Sequence, residues 1–344
     1  MKKILVTGGA GFIGSALIKL WLKSDPKITL VNLDKLTYCG DTARLAGLKN
    51  DSRYQFIQGD VCDSRDVEKA MEGCEVVVHL AAESHVDRSL LDGKVFLDTN
   101  IHGTYVLLET ARKKGVQKFL QVSTDEVYGS RLRGTFSEKD ALNPSSPYSV
   151  SKAAGDLLAL SYATTHALPV IVTRGSNTFG PYQYPEKVIP LFVSNALENK
   201  KLPLYGDGKQ VRNWIYVDDH CAGILHALKK GKPGEIYNIS SQTDLQNIEL
   251  TKRLLKILGE PGSLIEFVKD RAGHDRRYSI DSVKLRKLGW KENFSFEDAF
   301  RSTVLWYRDH ESWWRAIKEK QTGFKKYYAK VYGKNVFPAK AGIK

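Results

Sequence analysis

The chain has 344 residues, 42% of them hydrophobic and 26% charged, with a formal net charge of +13. That length buries a large core in one big domain or two intimately joined ones, and no apolar run approaches the length of a membrane span. Met1-Lys2-Lys3 opens onto a strand rather than a signal peptide, and Cys39, Cys62, Cys74 and Cys221 lack paired metal-ligand spacing. The expectation is a cytoplasmic enzyme with reduced thiols, no metal and no membrane contact. From Lys318 onward eight Lys stand against Glu319 alone, so +7 of the +13 belongs to the tail. A solvated or interface-packed tail over residues 319–344 is expected rather than a nucleic-acid arm, despite Phe324, Tyr327, Tyr328 and Tyr332 among its lysines.

In chain order, residues 3–6 read as a strand leading into Thr7-Gly8-Gly9-Ala10-Gly11-Phe12-Ile13-Gly14. Glycines at 8, 11 and 14 let the backbone turn tightly and approach a pyrophosphate at the positive end of a helix that starts near Ile13. A glycine loop alone specifies only a turn. Residues 28–33 read as a second strand ending at Asp34, twenty residues after Gly14, where a carboxylate binds ribose hydroxyls and repels a 2′-phosphate. That favours NAD over NADP. Further strands are expected at 54–58, 75–80, 118–122 and 168–173, with helical stretches between them that include 95–113. Such alternation implies an α/β fold with a parallel, doubly wound Rossmann-type sheet, whose ligands bind beyond the carboxyl ends of the strands.

Ser123-Thr124-Asp125-Glu126-Val127-Tyr128-Gly129 follows the fifth strand, and Tyr148-Ser149-Val150-Ser151-Lys152 opens a helix. A Tyr and a Lys four residues apart lie about one turn apart on one helix face, so the ammonium can favour the phenolate. Thr124 is placed to hydrogen-bond the same substrate oxygen. Adjacent carboxyls in a turn can address one molecule, and in different surroundings one serves as acid and the other as base. After 168–173 a Pro-rich passage moves the chain into a smaller lobe. Residues 216–229 and 235–239 are expected to return to the main sheet, which makes the lobes interleaved. The boundaries expected are 1–176 joined by 211–242 for the dinucleotide part, 177–210 and 243–318 for the lobe, and 319–344 for the tail. Residues 296–318 read as one long amphipathic helix, its Trp306, Trp313 and Trp314 packing rather than binding.

Taken together, the Thr plus Tyr-x-x-x-Lys set and the G-x-x-G-x-x-G loop resemble the extended short-chain dehydrogenase/reductases, and the Asp-Glu pair resembles their nucleotide-sugar 4,6-dehydratases. The likeness covers residues 2–290 with several motifs in order. It implies bound NAD, a homodimer formed through the Tyr148 helix and the 95–113 helix, and a nucleotide-linked hexose as substrate. dTDP-glucose comes first; UDP- or CDP-glucose, and 4-epimerase or decarboxylase chemistry on the same scaffold, are alternatives. Outside that class stand a non-catalytic dinucleotide-binding scaffold and a nucleic-acid binder. The implied catalytic residues are Thr124, Asp125, Glu126, Tyr148 and Lys152.

Implied cofactor contacts run through Gly8, Gly11, Phe12, Ile13 and Gly14, then Asp34, Lys35, Leu36 and Thr37, then Asp60 and Val61. They continue through Leu80, Ala81, Ala82, Ser84, Thr99, Tyr148, Lys152 and Thr178. Implied substrate contacts are Ser84, Thr124, Asn177, Lys187 and Val188, then Pro203, Leu204, Tyr205 and Arg212, then Asn247, Arg271, His274 and Tyr278. Arg212 and Arg271 suit a pyrophosphate because a planar guanidinium makes paired hydrogen bonds. Asn247 is also expected to cap its helix. Asn100 resembles the family's helix-bending Asn, and His85 is expected to be a structural hydrogen-bonding residue. Two departures stand out: Thr178 where a second Asn is common, and Ala272 where a Pro is common.

Overall fold

The computed structural model describes residues 2–332. The strands are β1 Lys2–Thr7, β2 Ile28–Asp34, β3 Tyr54–Gln58, β4 Val76–His79, β5 Lys118–Thr124, β6 Val170–Gly175, β7 Asn177–Phe179, β8 Leu202–Tyr205, β9 Val211–Tyr216, β10 Ile236–Ile239, β11 Asp244–Gln246 and β12 Ile265–Val268. Among the described residues the main sheet has seven strands in the order β10-β6-β5-β4-β1-β2-β3. Every pair in it is parallel. This is the expected α/β doubly wound sheet. Its strands read as near-continuous apolar runs because both faces are covered.

The helices are α1 Phe12–Ser24, α2 Ser64–Ala70, α3 Val86–Leu91, α4 Lys94–Leu97, α5 Gly103–Lys113, α6 Pro147–His166, α7 Val188–Leu197, α8 Val217–Lys230, α9 Asn247–Leu258, α10 Val283–Lys287, α11 Phe296–Asp309, α12 Glu311–Lys320 and α13 Thr322–Tyr332. On one face of the sheet, Leu17, Ile18 and Trp21 of α1 pack with Ile224 and Leu228 of α8 and Leu285 of α10. On the other, Val67 of α2, Leu107 and Ala111 of α5, and Ala159 and Tyr162 of α6 form the second layer. A third core, with Ile189, Leu191, Leu254, Phe300, Tyr307 and Trp314, lies in the lobe of α7, α9, α11 and α12.

Chain direction across the sheet reverses between β1 and β4, and the crevice beyond their carboxyl ends is where such sheets bind ligands. Two local expectations are corrected. The stretch 296–318 is two helices, because the chain breaks at His310, whose backbone N–H and Nδ1 both turn to Trp306 O. Asn247 does not cap α9: Gln246 is the capping residue, without a side-chain bond, and Asn247 is the first helical residue. Of the solvated or packed states expected for the tail, its start is packed: α13 buries Phe324, Tyr327 and Val331. The part of the tail past Tyr332 lies outside the described residues.

Between α4 and α5 the helix widens into a π turn over Asp98–His102. Asn100 explains it. Its Nδ2 donates to Glu83 O (3.0 Å) and Ser151 Oγ (2.8 Å), and its Oδ1 accepts from Glu83 N (2.9 Å), so the side chain ties this helix to the β4 loop and to α6.

Candidate active site

A cleft of about 490 Å³ opens beyond the carboxyl ends of β1, β4, β5 and β6. Its floor is the glycine loop. Gly8 has φ +72°, and a Cβ there would lie 2.6 Å from Ala81 N; one on Gly14 would lie 2.2 Å from Gly8 O. Only bare backbone fits this crossing of two loops. Gly11 caps α1 without a side-chain bond, which leaves the first-turn N–H groups of the helix uncontested by a capping side chain. Asp34, at the end of β2, accepts from Ala10 N (2.9 Å) and Leu36 N (2.8 Å), so its carboxylate braces the loop at the cleft edge. Burial raises its pKa. Lys35 reaches Asp60 at 2.6 Å.

The donor set fits a dinucleotide. Among the described residues Ser176 Oγ, Asn177 Oδ1 and His220 Nε2 are buried without a hydrogen-bond partner, and all three residues line the cleft. Of the expected cofactor residues, Gly8, Gly11, Phe12, Ile13, Gly14, Asp34, Lys35, Thr37, Asp60, Val61, Leu80, Ala81, Ala82, Ser84, Thr99, Tyr148, Lys152 and Thr178 line it. Leu36 does not line it, and its backbone takes φ 56°. Thr178 bonds His220 Nδ1 at 2.7 Å.

α6 begins with a reciprocal cap: Ser146 Oγ accepts from Ser149 N (3.1 Å), Ser149 Oγ accepts from Ser146 N (2.9 Å), and Pro147 occupies the first turn. That fixes Tyr148 and Lys152 at the cleft. Lys152 Nζ donates to Val122 O at 2.7 Å, and burial lowers its pKa to about 8 while Asp156 opposes the drop. The Tyr148 phenol is pushed upward by burial and by the Glu126 charge. With the protein's side chains alone, burial holds Tyr148 as the neutral phenol.

β5 ends at Thr124 and breaks into a single helical turn, Asp125–Tyr128. Thr124 Oγ1 accepts from Glu126 N at 3.2 Å and donates to Asp125 Oδ1 at 3.2 Å. The turn brings both carboxyls to the cleft lining. They differ in surroundings. Burial and the neighbouring Glu126 raise Asp125 to about 8, and its Oδ2 has no partner among the described residues. Burial also raises Glu126, but Arg271, Lys187 and Arg212 oppose the shift.

Among the expected substrate residues, Ser84, Thr124, Asn177 and Lys187 line the same cleft, and Lys187 Nζ donates to Ser84 O at 2.8 Å. Others form a second zone beyond Glu126. Arg212 donates to Asp275 O (2.9 Å) and lies over the Tyr278 ring (4.1 Å). Tyr278 Oη donates to Asp275 Oδ2 at 2.6 Å and comes within 3.4 Å of Glu126 Oε2. Arg271 pairs with Asp87 at 3.0 Å, and Tyr205 donates to the same carboxylate at 3.0 Å. His274 sits against Asp270 at 2.6 Å, and burial lowers its pKa to about 4. Val188, Pro203, Leu204 and Asn247 lie outside the cleft lining. The Leu204 side chain is in the lobe core.

Sequence pattern does not single out Tyr38, Arg44 or Glu186, yet all line the cleft. Glu186 accepts from Tyr38 Oη (2.9 Å) and Arg88 Nε (2.8 Å), pairs separated by 148 and 98 residues that no local signal reveals. His85 is buried against Glu186 O (3.3 Å) and Tyr327, a structural position as expected.

A dinucleotide cradle, a Thr, Tyr and Lys set and two unlike carboxyls in one cleft define an oxidoreductase-type scaffold equipped for elimination. The profile of the GDP-mannose 4,6 dehydratase family matches residues 5–303. A dTDP-glucose 4,6-dehydratase of Streptomyces griseus is 48% identical over 317 residues, 91% of this chain and 96% of that protein. One from an Actinoplanes strain is 47% identical, over 91% of this chain and 99% of its own. The crystal structure of DesIV, a dTDP-glucose 4,6-dehydratase from Streptomyces venezuelae with NAD bound, is 47% identical with a TM-score of 0.90, covering 92% of this chain and 100% of that one. The chain belongs to the GDP-mannose 4,6 dehydratase family, nucleotide-sugar dehydratases within the extended short-chain dehydrogenase/reductases.

Proposed function

We propose that this protein is a dTDP-glucose 4,6-dehydratase that holds NAD in the cleft and makes the nucleotide-linked 4-keto-6-deoxyhexose and water. The observation that carries the reading is the pair Asp125 and Glu126 in the same cleft as Thr124, Tyr148 and Lys152. Oxidation and re-reduction need only the last three; loss of water needs an acid and a base as well. Sequence identity of 47–48% to the dTDP-glucose dehydratases above, over most of both chains, supports the choice of nucleotide.

NAD, held by the glycine loop of Gly8, Gly11 and Gly14 and by Asp34, would supply the hydride acceptor and donor for C4 and C6 and the positive charge that favours ionisation of the phenol. Tyr148 takes the 4-hydroxyl proton while Thr124 holds that oxygen, and the Lys152 ammonium, anchored on Val122 O, steadies the developing charge. The resulting ketone acidifies C5. Glu126 removes that proton, Asp125 gives its own to the departing C6 hydroxyl, and Glu126 later reprotonates C5. Asp125 suits the acid because its proton is held up to about pH 8. Arg212, Arg271 and Lys187 supply the positive charge for the pyrophosphate.

The dinucleotide part comprises residues 1–176 with 211–242, and the nucleotide-sugar lobe 177–210 with 243–318. The working unit is a homodimer: Val95 (41% exposed), Leu97 (46%), Tyr105 (46%), Val150 (45%) and Leu157 (59%) stand on α4, α5 and α6, an apolar set that supports pairing through these helices. Four free thiols support a reducing cytoplasm, and no helix among the described residues is long and apolar enough to cross a membrane.

The test is incubation of the purified protein with dTDP-glucose, UDP-glucose and CDP-glucose separately, without added NAD, read by mass spectrometry. Loss of one water from dTDP-glucose alone is expected. No change in any donor, even with NAD supplied, refutes the reading.

A further inference from the structure

Beneath the cleft runs a buried chain of charges that none of these steps uses. Asp156 follows Lys152 by one turn of α6 and is 0% exposed; Arg174, on β6, is 2% exposed. Arg174 Nε donates to Asp156 Oδ2 at 3.0 Å, and its Nη1 donates to Tyr128 Oη at 2.8 Å. Tyr128 passes the bond on, donating to Asn238 Oδ1 of β10 at 2.9 Å. The guanidinium also lies over the Tyr128 ring, 4.8 Å from its centroid. Asp156 faces two cations, Arg174 and Lys152, and its Oδ1 has no hydrogen-bond partner among the described residues.

Burying an ion pair is a poor way to fill space, since apolar residues of like volume often stabilise as well or better. What the pair provides is direction. A guanidinium presents donors in a rigid planar fork, so the two groups it bonds are held at a fixed angle and separation. Here those two groups belong to different parts of the proposed machinery. Asp156 sits on the helix that carries Tyr148 and Lys152, and Tyr128 closes the turn that begins at Asp125. The β-sheet register adds a third constraint, for Arg174 lies opposite Ser123 and Gly175 opposite Thr124.

We infer that Asp156 and Arg174 are positioning residues that set the spacing between the oxidation pair, Tyr148 with Lys152, and the elimination pair, Asp125 with Glu126. The inference rests on the dehydratase reading, in which one sugar must meet both pairs at different carbons without leaving the cleft. Misplacing a reacting group by about 1 Å costs roughly a hundredfold in rate. A single guanidinium bonded to both supports removes that freedom.

Tyr128→Phe deletes the acceptor of Arg174 Nη1 while keeping the ring that stacks on Phe136 at 5.2 Å. Arg174→Lys keeps the charge beside Asp156 but loses the fork. Each variant, with NAD bound, is mixed rapidly with dTDP-glucose, and the near-ultraviolet absorbance of reduced nicotinamide is followed. In both, its appearance should stay within about twofold of the wild type and its decay should slow by about tenfold or more, so that it accumulates during turnover. Equal slowing of both phases, or no accumulation in a folded Tyr128→Phe, overturns the inference. If Arg174→Lys does not fold, Tyr128→Phe decides alone. Failure of the wild type to convert dTDP-glucose overturns the dehydratase reading and this inference with it; normal conversion without accumulation in the variants overturns this inference only.

Discussion

Replacing Asp125 with Asn should make the protein more stable and less active at the same time. In the wild type the carboxyl titrates near 8 instead of 3.8, because burial and Glu126 disfavour its charge. Between those two values the unfolded chain binds fewer protons at this site than the folded one, so stability falls as pH rises from about 4 to about 8. Each decade is worth about 1.4 kcal/mol, which sets a ceiling of roughly 6 kcal/mol on the accumulated loss at pH 8. Asn carries no such slope, and its amide oxygen can still accept the Thr124 hydroxyl that meets Asp125 Oδ1. Thermal unfolding from pH 5 to pH 8 should therefore show Asp125→Asn above the wild type at pH 8, with the gap closing toward pH 5. In single turnovers with dTDP-glucose the same variant should lose about 10²–10⁴ in the elimination step, the usual contribution of a positioned acid. The wild-type elimination rate should fall above about pH 8 as the proton is lost. A variant less stable than wild type at pH 8, or one that eliminates water at the normal rate, would refute the assignment of Asp125 as a buried acid.

Glu126→Gln should still oxidise the sugar but stall afterwards, seen as reduced nicotinamide that forms and does not decay; complete dehydration would remove Glu126 from its role. Gly14→Ala places a methyl 2.2 Å from Gly8 O, so it should cost about 2–3 kcal/mol of stability and strip the purified protein of NAD, measured by melting and by the nucleotide absorbance of the denatured supernatant. Ending the chain after Gln321 removes buried Phe324, Tyr327 and Val331, each worth about 1.5–3 kcal/mol, and should lower the melting temperature. Retention of full thermal stability by that truncation would show that α13 contributes no net packing.

Much of this molecule is legible in its residues because the main signals are local. Buried parallel strands leave apolar runs, the β1 turn demands glycines, and Asp34 falls where β2 stops. The four-residue spacing of Tyr148 and Lys152 at the start of a helix places that pair as well. What could not be read depends on partners far away in the chain. The amphipathic pattern over 296–318 carries on through His310, whose ring bond to Trp306 O marks the break only once the fold exists. The phenol of Tyr148 follows the density of groups packed around it, which spacing along α6 does not report. The tail's lysines left both a solvated and a packed state open, and the aromatic residues between them decided where α13 lies. Tyr327 sits against Arg88, 4.4 Å from guanidinium to ring, a partner 239 positions earlier.

The seventh strand of the main sheet has a bearing on how the chain leaves the ribosome. β6 is complete at Gly175, yet the strand that covers its outer edge, β10, begins only at Ile236, after the chain has threaded α7, β8, β9 and α8. At ~5–20 residues per second that interval lasts several seconds, during which the nascent sheet carries an open edge of unpaired backbone N–H and C=O groups. A pause or rare-codon cluster between these two points would prolong the exposure, so the yield of native protein should be more sensitive to translation speed there than in the first half of the message.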